Sequence, residues 1–143
     1  MKFCNNDCSV IYFKDNNIKI DINVKLKNRK RMTRLNADLD TGTQSTLYLN
    51  NHFYSKIESI FDDEYVFTDE RGKTNKNTVY PAPEYRPAMR SYGSKEPYKN
   101  LIGKFITINI PLVGDIRTMA FTCDEANIDT TPVIGLELLR NFG

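Results

Sequence analysis

One apolar run in this chain ends in a carboxylate and restarts a few residues later. Leu35, Ala37 and Leu39 alternate with Asn36 and Asp38; Asp40-Thr41-Gly42 interrupts them, and Leu47-Tyr48-Leu49 resumes the run. Alternation of period two marks a strand with one buried face, and a Thr-Gly break marks a tight turn. The stretch therefore reads strand, turn carrying Asp40, strand. Far downstream, Thr131-Pro132-Val133-Ile134 is a second apolar strand and Gly135 breaks it. Leu136, Leu138, Leu139 and Phe142 then form the stripe of a short amphipathic helix, with Arg140 in its last turn, where the helix dipole favours a cation.

These two stretches, in this order, resemble the retropepsin-like aspartic protease family, and the resemblance covers residues 18–143. In that family an Asp-Thr/Ser-Gly turn holds the catalytic carboxylate, and a later apolar-apolar-Gly segment followed by a helix packs beneath it. The matching residues here are Asp40, Thr41 and Gly42, then Val133, Ile134 and Gly135. Viral members usually pair an acidic residue two beyond the first glycine with an arginine directly after the late one. Gln44 and Leu136 occupy those places here, so both partners are exchanged together and no orphaned charge results. The Gly-Leu-Glu-Leu-Leu form looks more like the cellular and retroelement branches. Asp38 stands where the family commonly has an apolar residue.

The resemblance implies an all-β fold, a single-lobe β-barrel with one short C-terminal helix, in which residues 1–143 form one domain. It implies an aspartic endopeptidase active as a homodimer, with an extended peptide as substrate and neither cofactor nor metal. Peptide hydrolysis of this type needs two carboxyl groups sharing one proton, because like charges a few ångströms apart cannot both ionise. The chain has one Asp-Thr-Gly and no second Asp-Thr-Gly or Asp-Ser-Gly, so Asp40 of two copies has to meet at a two-fold axis. Thr41 would bond across that axis, and Gly42 would let the backbone turn closely beneath the carboxylates. Tyr92-Gly93-Ser94 looks like the tip of the family's closing flap; the plain alternative is a tyrosine in a surface turn. For Asp40 the plain alternative is a turn-capping aspartate. The rival function keeps the fold and loses the chemistry, giving an inactive peptide-binding or assembly domain.

The remaining sequence fits one such domain. At 143 residues and 40% hydrophobic content the chain supports a single core. A net charge of +2 argues against selection of partners by bulk charge. The cluster Lys25, Lys27, Arg29, Lys30, Arg31 and Arg34 reads as a solvated hairpin tip without interleaved aromatics, so no nucleic-acid partner is expected. There is no apolar run long enough for a membrane helix and no signal-peptide core in Met1 to Asp7, so the expectation is a cytoplasmic chain or one released from an intracellular or viral precursor. Cys4, Cys8 and Cys123 are odd in number and read as reduced thiols, and together with the single histidine, His52, they lack the spacing of a zinc site.

Residues 9–13 and 18–26 read as strands, the second with Ile18, Ile20, Ile22, Val24 and Leu26 on the core face. Residues 27–34 read as a hairpin tip, 51–61 as a short helix or irregular turn, 64–68 as a strand and 69–73 as a turn. Pro81, Pro83, Pro87 and Pro97 exclude central strands from their stretch. Further strands are expected from near Phe105 to Ile110 and over 116–123.

Overall fold

The computed structural model describes residues 11–42, 46–62, 64–67, 74–75 and 100–139. Along these residues run β1 (Ile11–Lys14), β2 (Asn17–Lys25), β3 (Met32–Leu39), β4 (Leu47–Tyr48), α1 (Asn51–Tyr54), β5 (Tyr65–Phe67), β6 (Thr74–Asn75), β7 (Leu101–Ile110), β8 (Gly114–Thr122), β9 (Val133–Ile134) and α2 (Leu136–Leu139). The strands form one sheet in the order β1-β2-β3-β9-β4-β8-β7-β5-β6, and β2 also pairs with β7. That extra pairing, Asn23 with Asn109 and Val24 with Ile108, closes six strands into a barrel. The Asn23 amide donates to the Asn109 side chain at 3.1 Å across the closure. The described architecture is all-β, with little helix.

The alternating strands explain the core. Ile20, Ile22 and Val24 of β2 meet Ile106, Ile108 and Ile110 of β7, with Ala37, Leu47, Ile134 and Leu138 closing the interior. Each fully buried aliphatic side chain contributes about 1.5–3 kcal/mol of transfer free energy. Stepping one residue along β4 and β8 turns the side chains to the opposite face. There Tyr48, Phe121, Met119, Tyr65, Leu101, Cys123 and Ala126 form a second apolar layer outside the barrel. Gly103 makes this layer possible, because it lies opposite Phe121 and a Cβ added to it would sit 2.8 Å from Met119 Sδ and 2.9 Å from Phe121 Cε1.

The turns follow local chemistry. Asp15 and Asn16 join β1 to β2 with φ of 53° and 64°, the left-handed pair that a two-residue hairpin loop demands and that Asp and Asn tolerate. At the β7–β8 tip the Val113 amide donates to the Ile110 carbonyl at 2.9 Å, with Pro111 first and Leu112 second in the turn. Leu112 takes a φ of 67°, where glycine is usual. Asn50 caps α1, its side chain accepting the Phe53 amide at 2.7 Å.

Several boundaries differ from the sequence reading. Ile18 is not core but 40% exposed, because the β1–β2 hairpin runs past the barrel rim. The β2–β3 tip is shorter than expected, since Met32, Thr33 and Arg34 already pair with β2. Strand β7 begins at Leu101 rather than near Phe105. The helical option for the segment after Asn50 holds for a single turn, giving a second short helix beside α2. Arg29, Lys30 and Arg31 are exposed. No helix among the described residues is long and apolar enough to cross a membrane. The turn at 69–73, the proline-rich stretch, Tyr92-Gly93-Ser94, Cys4, Cys8, Arg140 and Phe142 lie outside the described residues.

Candidate functional site

The backbone around Asp40 is fixed from two sides. Strand β9 lies between β3 and β4, the two strands that the Asp40 turn joins, parallel to the first and antiparallel to the second. The Asp38 amide donates to the Pro132 carbonyl at 2.8 Å, and the Asp40 amide donates to the Ile134 carbonyl at 2.9 Å. On the far side the Gly135 amide donates to the Thr46 carbonyl at 2.8 Å. The late apolar-apolar-Gly segment thus bonds both the strand leading into the turn and the chain leaving it. Ile134 anchors the arrangement inside the barrel at 0% exposure, opposite Leu47.

Above this support, Asp40, Thr41 and Gly42 are all exposed. Asp40 Oδ1 accepts the Gly42 amide at 2.9 Å, which holds the carboxylate to its own turn. A Cβ at Gly42 would stand 3.1 Å from that same oxygen, so the close approach depends on glycine. Among the described residues the turn carries one carboxylate, Asp40, presented at the end of the β3–β9–β4 ladder. Alone it can accept hydrogen bonds and act as a base; a proton-sharing pair requires a second carboxyl from elsewhere.

Asp38 has a partner. Leu35, Ala37 and Leu39 pack toward the core, so Asn36 and Asp38 face outward. There the Asp38 carboxylate forms an ion pair with Lys19, the residue directly opposite on β2. Beside it the Asn36 amide donates to Asp21 Oδ1 at 2.8 Å and also to the Tyr12 hydroxyl. Burial, and then the neighbouring Asp21 carboxylate, push the Tyr12 phenol above its ordinary pKa. This polar group ties β1, β2 and β3 together on the outer face next to the turn. The pattern of residues 17–25 marks the β2 members as a wet face but not as partners, because pairing requires the register.

Lys104 is a buried ion that sequence reading missed. It is 3% exposed, and its Nζ donates to the carbonyls of Tyr54 at 2.8 Å and Ile57 at 3.1 Å while lying 4.3 Å from the Tyr54 ring centre. Burial, reinforced by Lys27 and opposed by Glu64, pulls its ammonium down to about 8. The signal was present in its phase, since Lys104 occupies the same alternation as Ile102, Ile106, Ile108 and Ile110. It braces β7 against the end of α1. Cys123 is 3% exposed in the outer apolar layer, 3.0 Å from the Tyr48 hydroxyl, and burial raises its thiol pKa. His52 is exposed on α1, and no cluster among the described residues could hold a metal ion.

No family model, curated protein or solved structure matches the chain.

Proposed function

We propose that the chain is a retropepsin-like aspartic endopeptidase that works as a homodimer, with Asp40 of each copy supplying one half of the catalytic pair. The observation that supports this reading is the threading of β9 between the two strands flanking Asp40-Thr41-Gly42. Backbone bonds from Asp40 to Ile134 and from Gly135 to Thr46 hold the turn from beneath while its carboxylate stays exposed. Asp40 also caps its own turn by accepting the Gly42 amide, so it is the threading of β9, and not the cap, that favours the catalytic reading.

In the paired site one carboxylate takes a proton from water while the other, protonated, donates to the scissile carbonyl. The two titrate as a unit. The Gly42 amide, bonded to Asp40 Oδ1, orients each carboxylate, and the Thr41 hydroxyl is available to bond across the two-fold axis. The substrate is an extended peptide, bound through its backbone as an added strand, with alternate side chains read on either side.

Asp40→Asn tests the assignment. It should abolish cleavage of a mixed peptide library while leaving the melting temperature and the dimer unchanged, since an amide keeps the shape and removes the proton chemistry. Wild-type turnover in the purified variant would refute the role of Asp40. A folded wild-type dimer that retains peptides without cutting any would favour the rival reading of an inactive binding or assembly domain.

A further inference from the structure

We infer that the β1–β2 hairpin is the contact by which a second copy of this chain is held beside the Asp40 turn; this rests on the paired-site reading and supplies the interface it lacks. The register lines up Phe13, Ile18, Leu39 and Ile134 as neighbours across β1, β2, β3 and β9. Phe13 opposes Ile18, Lys19 opposes Asp38, so Ile18 falls level with Leu39, and Leu39 opposes Ile134. Exposure climbs along this row from 0% at Ile134, through half-buried Leu39, to 40% at Ile18 and 71% at Phe13. One turn of the alternation away, Ile11 is 40% exposed beside buried Ile20. The face is a continuation of the barrel core that leaves the barrel and meets solvent.

Three observations select a second copy as the occupant. The first is position. The same register puts Asn17 level with Asp40, so the apolar row runs directly beneath the turn, and Phe13 lies only two strand spacings, about 10 Å, from β3. A two-fold axis that brings two Asp40 carboxylates together brings these hairpins to the partner as well. The second is the strand order: among the described residues β1 is the end strand and pairs with β2 alone, and an end strand is where another chain can extend a sheet. The third is charge. The hairpin end carries Lys14 and Asp15, both exposed, so a two-fold contact need not oppose like charges, and the chain's net charge of +2 adds little repulsion. The Tyr12, Asp21 and Asn36 group on the opposite face keeps β1 in place for the contact.

Sedimentation of the full chain across a dilution series tests this, with wild type, Phe13→Lys, the double variant Phe13→Lys with Ile18→Lys, and Met32→Lys as a control at the opposite end of β2, where Met32 pairs with Lys25. Circular dichroism and melting confirm that each variant is folded; Phe13→Lys changes the most exposed of these side chains and serves if the double variant does not fold. The expected result is a wild-type dimer whose dissociation constant rises about thirtyfold or more in Phe13→Lys, the loss typical of an interface anchor. Met32→Lys should associate like wild type, although Met32 is 42% exposed and apolar. A Phe13→Lys dimer as tight as wild type overturns this contact and leaves the paired site standing. A wild-type chain that remains monomeric overturns the paired site and the contact together.

Discussion

Gly42 and Lys104 carry consequences that single substitutions expose. Replacing Gly42 with alanine puts a methyl group 3.1 Å from the Asp40 oxygen that the Gly42 amide already holds, so the carboxylate must shift by a few tenths of an ångström. The turn is exposed, and the cost in stability should stay below about 1 kcal/mol. On the proposed reading peptide cleavage depends on where that oxygen points, so Gly42→Ala should lower kcat/KM tenfold or more with little change in melting temperature. Unchanged kcat/KM would mean that the bond from the Gly42 amide does not orient the carboxylate. Lys104→Met removes the donor from two carbonyls at the end of α1, at a cost of about 1–3 kcal/mol near neutral pH.

The pH dependence of that loss has a definite sign. The folded chain holds the Lys104 proton with a pKa of about 8, against an ordinary value of 10.5, so between these the unfolded chain binds more protons. The Lys104 contribution to stability therefore rises with pH across that window, by at most about 1.4 kcal/mol per pH unit. Burial raises the Tyr54 phenol, which acts in the opposite direction above pH 10, beyond the range measured. Denaturant unfolding of wild type and Lys104→Met at pH 7.5, 8.5 and 9.5 should show a gap that widens in favour of wild type. A constant gap would show that the buried ammonium does not lose its proton in that range.

At the scale of elements, β7 and β8 depend on a missing side chain. Gly103→Ala would drive a methyl into Met119 and the fully buried Phe121 ring, and the rigid ring has nowhere to move. Overpacking of this kind costs about 1–3 kcal/mol, and a thermal melt should show a clear drop; an unchanged melt would mean that the outer layer is loosely packed. Gly103 and Lys104 also explain why β7 was read as starting near Phe105, since a glycine and a lysine break the apolar pattern although both belong to the strand. Strand β2 was legible because Ile20, Ile22 and Val24 repeat with period two. Ile18 shares that repeat and is exposed, because periodicity marks a face and not where the barrel ends. Strand β9 has two residues, too few for any repeat, and it was legible only through its apolar pair, Val133 and Ile134, and the glycine after it. The Lys19–Asp38 pair and the barrel closure between β2 and β7 are matters of register, which no local pattern encodes.

At the scale of the whole molecule, the described residues build a closed barrel that presents Asp40 in an exposed turn between β3 and β4, and the proposed chemistry needs two such carboxylates. Among the described residues the barrel core packs within one copy, the β2 and β7 isoleucines meeting across it, so on the proposed reading a second copy serves the site and not the fold. Loss of cleavage on dilution should therefore occur without unfolding. Mixing wild type with Asp40→Asn, and allowing subunits to exchange, tests the shared pair most directly. With equal amounts and random pairing, about a quarter of the dimers carry two intact carboxylates, so activity should fall to about a quarter of that from the same total amount of wild type. Activity at about one half, proportional to the wild-type chains present, would show that each chain cleaves alone and would contradict the two-copy site.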